Sequence, residues 1–268
     1  MLLKKISVLN LGGLTEFKRD LSDRLNVVRE RYTDELYCVI AAVLRNRSAP
    51  CIPPVWLRRE SRIDATVSAN GKNFYVNLAP SDAHRALKLS AFDEMGREVT
   101  AEYLYLSSHC MEHDLCDNFD GNEKYSFLRV LNYLDETEIF ERTMGGLMRI
   151  KAFRSYTFDY IKNFRSETIR DGKQYKIVLE ENGEYGVRCT DEDEQPVCLS
   201  ESEQTLFRYL CFLKTAEFWQ GFEAIRNLHG VKKPLVIKGL FDRLDESIDI
   251  NGLLRRTEEL GRQVIILT

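Results

Sequence analysis

The sequence predicts an α/β fold, on three observations. The stretch LNVVRERYTDELYCVIAAVL, Leu25 to Leu44, reads as a strand, a tight connection and a helix. Leu25, Val27 and Val28 form a β-prone apolar run, and Val39, Ile40, Val43 and Leu44 recur at helical spacing. Farther along, Pro234 opens the run LVI, a helical pattern follows from about Ile250 to Leu260, and QVIILT supplies a second apolar run. Two buried strands flanking a helix predict a parallel core. Finally, Asn70-Gly71 and Asn182-Gly183 each stand between β-prone alternating runs, the strongest short hairpin signal there is.

Composition narrows the function classes. A chain of 268 residues, 44% hydrophobic and 30% charged, buries a large core as one big domain or two lobes. Lys plus Arg is 38 against 42 for Asp plus Glu, a formal net charge of −4, which gives no support to nucleic acid as the main partner but leaves a local basic patch, and a nucleic-acid-binding module, open. The opening MLLKKISVLN carries lysines inside a strand-like alternation, not the apolar core of a signal peptide. No apolar run approaches the roughly 20 residues that span a bilayer. Seven scattered cysteines in a chain of this size read as reduced thiols, so the expected location is the cytoplasm, with no membrane partner.

Taken in order, LLKKISVLN alternates and turns at Gly12 and Gly13, and EFKRD follows as a second short strand before Leu25–Val28. Helix one is expected from about Thr33 to Arg47, with Thr33 or Asp34 as N-cap, until Pro50, Pro53 and Pro54 break the chain. Two runs around Asn70-Gly71 form a hairpin, and ALKLSAFDEMGREVTAEYLYLSS adds two or three more strands turning at Met95-Gly96. From about Glu123 to Phe164 the period becomes helical, with stripes at Phe127, Val130, Leu131 and Leu134 and at Ile150, Phe153, Tyr156, Tyr160, Ile161 and Phe164. A second hairpin turns at Asn182-Gly183, an acidic loop runs from Asp191 to Glu194, and a long helix after LSESEQ points Leu206, Leu210, Leu213 and Phe218 inward. The expected divisions are a strand-rich lobe over 1–108, a helical insert over 109–170 and a C-terminal lobe over 171–268, all within one compact unit.

The order of these parts resembles the ATPase heads of the SMC and RecF group, relatives of the ABC-transporter ATPases. LLKKISVLNLGGLTEFKRDLSDRLNVV looks like the group's opening, in which two strands lead into the P-loop strand. LSESEQTLFRYLCFL is similar to the signature motif, usually L-S-x-G-[EQ], at the head of a helix. KPLVIKGLFDRLDE is similar to the Walker B strand and D-loop, and RQVIILT to the strand before the switch histidine. The matched segments cover roughly residues 1–45 and 196–268. The resemblance implies an ABC-type head with a strand-rich N-terminal lobe and a short helical insert; no heptad pattern is sustained long enough for a long coiled coil.

The departures from the family pattern fall on its chemistry. A P-loop is G-x-x-x-x-G-K-[ST]: glycines admit phosphate oxygens to backbone N–H groups, the lysine neutralises charge and the hydroxyl binds Mg²⁺. Laid on that pattern without a gap, the four positions are Glu30, Glu35, Leu36 and Tyr37. Where the family carries the metal-binding aspartate and the acid for the attacking water stand Lys238 and Gly239. The sequence ends at Thr268, where the resemblance places the switch histidine. The expectation is therefore a non-hydrolysing pseudo-ATPase, no enzyme, with no cofactor and no metal, serving as an interaction or regulatory subunit. The competing expectation is a divergent ATP-binding SMC/RecF-like ATPase linked to DNA repair or genome maintenance.

Other family elements are less altered. Ser200 with Glu203 makes a capping-box pattern, Ser202 replaces the signature glycine, and Leu244-Asp245 of the D-loop is kept. In the family these parts act across a dimer on nucleotide held by the other subunit. Ser200, Ser202 and Asp245 therefore form a candidate trans-acting surface, with an active ATPase paralogue or a second copy as the protein partner; a capped helix and a solvated turn explain the same residues. The resemblance also implies that the Walker B-like strand lies beside the strand of the opening stretch, bringing Lys238 to Asp34 or Glu35.

Three further signals carry less. His109, Cys110, His113 and Cys116 lie close together, but in a helix Cys116 falls about two turns beyond His109, too far for one ion. Cys38 and Cys110 read as buried thiols. The aromatics Phe153, Tyr156, Tyr160 and Phe164 fit a packed helix better than a base-stacking channel.

Overall fold

The computed structural model describes residues 1–45, 51–81, 86–107, 118–121, 174–179, 185–191, 195–206, 208–210, 212–213, 216 and 232–268. The chain divides into two compact units, one of Met1–Asn118, Asn227–Lys238 and Leu253–Thr268, the other of Phe119–Arg226 and Gly239–Gly252.

In the first unit, β1 (Leu2–Leu11) and β2 (Leu14–Asp20) form a hairpin whose ends pair Leu11 with Leu14 across the Gly12-Gly13 turn. Gly12 sits at φ +56, the left-handed region that a glycine enters without strain. β4 (Leu57–Ala69) and β5 (Lys72–Pro80) meet at Asn70 and Gly71, with φ +50 and +75, the two positive values that a type I′ turn demands. With β6 (Leu87–Phe92) they build a five-stranded antiparallel sheet in the order β2-β1-β4-β5-β6. Alternation sends Ile63, Ala65, Val67 and Ala69 of β4, and Phe74, Val76 and Leu78 of β5, to one buried face.

β3 (Leu25–Val28), β10 (Leu235–Lys238) and β11 (Val264–Leu267) form the expected parallel strands. β11 pairs with β10 on one side and with β3 on the other. Every residue of β10 and β11 is buried, which is why β11 and, up to Lys238, β10 read as apolar runs. α1 (Thr33–Val43) buries Leu36, Tyr37, Val39, Ile40, Ala41 and Val43 in one core with the inner face of the antiparallel sheet and with Val236, Ile265 and Leu267. Cys38 is a buried thiol, as expected.

Three expectations need correction here. α1 stops at Val43, short of Arg47, because Arg45 adopts φ +57 and its N–H turns back to the Ala42 carbonyl at 3.3 Å. Its N-cap is Tyr32, without a side-chain bond, so Thr33 and Asp34 lie inside the first turn. The alternating segment after Met95-Gly96 is α2 (Thr100–Leu106), a helix and not a strand. Its Tyr103 is fully buried while Tyr105 is 81% exposed, opposite outcomes that a strand would not give to residues two apart.

In the second unit, β7 (Asn118–Asp120) supplies Phe119, whose ring meets Tyr209 edge-on at 5.1 Å and Phe212 at 5.4 Å. β8 (Gln174–Leu179) and β9 (Tyr185–Thr190) form the second antiparallel hairpin. The helix beginning at residue 201 buries Leu206, Leu210 and Leu213 as expected. α3 (Ile250–Glu258) precedes β11 in sequence. The His109–Cys116 cluster and the aromatic positions from Phe127 to Phe164, with Phe218, lie outside the described residues. Among the described residues no helix is long and apolar enough to cross a membrane.

Candidate functional site

The pocket and surface residues that the family comparison singled out fall into two constellations. The first stands where β3 and β10 end and α1 begins. Lys238, the last residue of β10, places its Nζ 2.6 Å from Asp34 Oδ1 and 5.1 Å above the centre of the Tyr37 ring. Its side chain is 8% exposed, whereas that of Asp34 is 66% exposed. The strand carrying Lys238 does not lie beside β3 as expected; β11 stands between them, and the contact is made because α1 brings Asp34 across. With one partner so exposed, the pair is worth only about 0–1 kcal/mol.

The other positions of the P-loop comparison have structural employment. Leu36 and Tyr37 are core residues, at 0% and 4% exposure. Glu30 accepts from the Arg31 N–H at 2.9 Å, and its own N–H donates to the Thr268 carbonyl at 3.0 Å. Glu35 accepts from the Gly13 N–H at 3.4 Å, away from Lys238. Gly239 takes φ +64 immediately after Lys238, a turn that a side chain would strain.

Sequence reasoning missed the role of the Gly12-Gly13 turn. A Cβ on Gly12 would stand 2.9 Å from the Glu35 Cγ, and one on Gly13 only 2.2 Å from the Tyr32 ring. The hairpin tip is therefore packed directly on the start of α1. The paired glycines were the available signal, since two in succession at a hairpin tip mark a close approach as well as a turn.

The second constellation belongs to the second unit. Ser200 and Glu203 cap the helix start reciprocally: the Glu203 N–H donates to Ser200 Oγ at 3.1 Å, and the Ser200 N–H to Glu203 Oε2 at 2.8 Å. The Asp245 N–H donates to Ser202 Oγ at 2.8 Å, and Arg243 pairs with Glu201. Ser202 is buried at 4% exposure, so its hydroxyl serves Asp245 and does not face outward. Ser200 and Asp245 are exposed. The signature-like helix start and the loop carrying Asp245 are thus locked to each other.

Among the described residues, no group of three His, Cys, Asp or Glu side chains is arranged to hold a metal ion.

Comparison with solved structures identifies the fold. The chain matches the recombination mediator protein RecF with ATP, of the RecFOR pathway, at a TM-score of 0.53 and 14% identity, over 99% of this chain and 93% of that one. It matches the RecF–ATPrS structure at 0.51 and 12% identity, over 99% and 92%. It matches the Smc head domain from Pyrococcus furiosus, with an extended coiled coil and bound to the C-terminal domain of ScpA, at 0.50 and 12% identity, over 100% and 89%. No protein-family model and no curated protein sequence matches the chain. The fold is therefore the α/β fold shared with RecF and the Smc head domain, as the sequence resemblance implied. The expectation that the chain is not an enzyme is corrected by the same matches. The fold is shared with a protein solved with ATP, and nothing among the described residues shows inactivity.

Proposed function

We propose that a chain with this fold works as a head paired with another head, in the cytoplasm, as an interaction or regulatory subunit. Its contribution to the pair is the surface around Ser200 and Asp245, stiffened from beneath by Ser202. The partner is an active ATPase paralogue or a second copy of the chain. The observation that carries this reading is the 2.8 Å bond from the Asp245 N–H to Ser202 Oγ, backed by the reciprocal cap at Ser200. Two loops meant only for solvent need no such mutual fixing, while a surface that completes a site on another molecule needs pre-organisation. Net charge gives no support to nucleic acid as the main partner.

The test is affinity purification followed by reconstitution with the ATPase that is recovered. The expected result is a defined complex whose hydrolysis rate falls by at least about tenfold on Asp245→Ala without loss of complex. A monomer in sedimentation, with no ATPase bound, would defeat the proposal.

A second reading is a divergent ATP-binding head linked to DNA repair or genome maintenance, in keeping with the likeness to a recombination mediator protein bound to ATP. It is favoured by Lys238, a buried cation at the carboxyl end of a parallel strand, where open α/β sheets bind ligands. A thermal upshift at millimolar ATP with Mg²⁺ supports it, and an unchanged melting curve removes it.

A further inference from the structure

We propose that the outer face of the antiparallel sheet holds a small aromatic carboxylate, its ring against Tyr75 and Phe92 and its acid group on Lys5. The inference depends on neither functional reading and concerns the first unit alone. Strand register sets the pattern. Lys5, Thr66, Tyr75 and Phe92 are successive cross-strand partners on β1, β4, β5 and β6, so their side chains leave one face of the sheet. It is the face opposite to the one that carries Val67 and Phe74 into the core. The four residues line a depression of about 650 Å³, within the roughly 300–1,000 Å³ of small-ligand sites.

One end of the row is apolar. Tyr75 is 45% exposed, and Phe92 beside it is half-buried. Directly opposed aromatic side chains usually close on each other, yet these two rings make no mutual contact. Their faces are left for a third ring. The other end is cationic. Lys5 Nζ stands 3.9 Å from Asp20 Oδ1, too far for a hydrogen bond. Between the two ends lies the Thr66 hydroxyl, which no hydrogen bond engages among the described residues. It is a donor for the second oxygen of an acid held by Lys5.

Charge decides the class of ligand. The lining carries Lys5 and Arg62 against a single acid, Asp64, a surplus of one positive charge. Asp64 is committed to its neighbours: Arg62 Nε donates to Oδ2 at 2.7 Å, and Oδ1 accepts Arg62 Nη2 at 3.0 Å and Asn77 Nδ2 at 2.9 Å. Asp64 therefore holds Arg62 and leaves Lys5 as the cation for a monoanion. Spacing sets the ligand's length. Adjacent strands lie about 4.8 Å apart, so Lys5 and Tyr75 stand about 10 Å apart across β4. The lysine stem spans part of that gap, and an acid about two carbons from its ring spans the rest.

The probe is hydrocinnamate, titrated into the whole chain and followed by the methyl resonances of Thr66 and Ala79, which both line the depression. Its amide, hydrocinnamamide, keeps the ring and drops the charge; acetate keeps the charge and drops the ring. Saturable methyl shifts are expected at millimolar probe, with the acid bound roughly threefold or more tighter than the amide. Lys5→Met should erase that preference while acid and amide still bind. Tyr75→Leu, at an exposed position, should weaken both alike. The absence of saturable shifts in the wild-type chain overturns the proposal. So does equal affinity for acid and amide, or a preference for the acid that survives Lys5→Met. Acetate that moves the same methyls as far as hydrocinnamate also overturns it.

Discussion

The Tyr103 hydroxyl donates to the Val43 carbonyl at 2.5 Å inside the core, satisfying an oxygen at the end of α1 that the helix leaves unpaired. Burial pushes its ionisation well above the usual tyrosine range, with Arg45 a smaller opposing influence. The folded value is the higher one. The contribution is therefore complete below about pH 10 and is lost as pH rises beyond it. Tyr103→Phe should destabilise the chain by about 1 kcal/mol near neutral pH and flatten the alkaline loss of stability. Urea midpoints at about pH 8 and about pH 10.5 check this; a Phe variant that loses stability as steeply as wild type refutes it. Asp93 behaves in the opposite sense. Its Oδ1 accepts the N–H groups of Arg97 and Met95 at 2.9 Å each, and its Oδ2 meets the Arg97 guanidinium. The Arg97 N–H, first among these, holds the carboxyl below the usual aspartate range. That contribution is present above about pH 4 and disappears as pH falls through the lower folded value. Amide exchange at Met95 and Arg97, corrected for intrinsic rates, should quicken on acidification in the wild type and stay level in Asp93→Asn.

At the scale of elements, the hairpin tip on α1 is the contact most exposed to a single change. Gly13→Ala should destabilise by about 1–3 kcal/mol, because its methyl enters the Tyr32 ring. Gly13→Ala with Tyr32→Ala should destabilise by less than the two single changes summed, which a double-mutant cycle in urea measures. Simple additivity would show that the clash is not what matters. The elements legible in the sequence were those specified by their own neighbours in the chain. Asn70-Gly71 encodes its turn locally, and β11 and, up to Lys238, β10 announce burial by apolar runs. Thr100–Leu106 was not legible, because A-E-Y-L-Y-L alternates like a strand. What decides it is distant: the Ala91 N–H donates to Thr100 Oγ1, the Val99 N–H to the Ala91 carbonyl, and Tyr103 packs on Phe74 at 5.6 Å. The candidate site was half legible for a similar reason. The approach of Lys238 to Asp34 was legible through the family resemblance, but not its route: β11 separates β10 from β3, and α1 carries Asp34 across. The diversion of Glu35 to the Gly13 N–H was not legible either, since it depends on where a hairpin tip lands.

Across the first unit, Gln263 ties together segments far apart in the sequence. Its Oε1 accepts the Leu3 N–H at 2.7 Å, while its Nε2 donates to the carbonyls of Leu3 at 2.8 Å and Ser22 at 2.7 Å. It is 2% exposed, so Gln263→Ala strands buried backbone groups and should remove about 2–4 kcal/mol of stability, read from urea unfolding. A loss under about 0.5 kcal/mol would mean that water takes over these bonds. The same residue joins strands from distant parts of the sequence, and β3 likewise pairs with β11, Leu25 against Val264. On a ribosome adding about 5–20 residues per second, β3 waits on the order of 10–50 s for that partner. For that interval the apolar face of α1 and an open strand edge are presented to solvent. The yield of folded chain should therefore track chaperone supply during synthesis more closely than the stability of the finished protein.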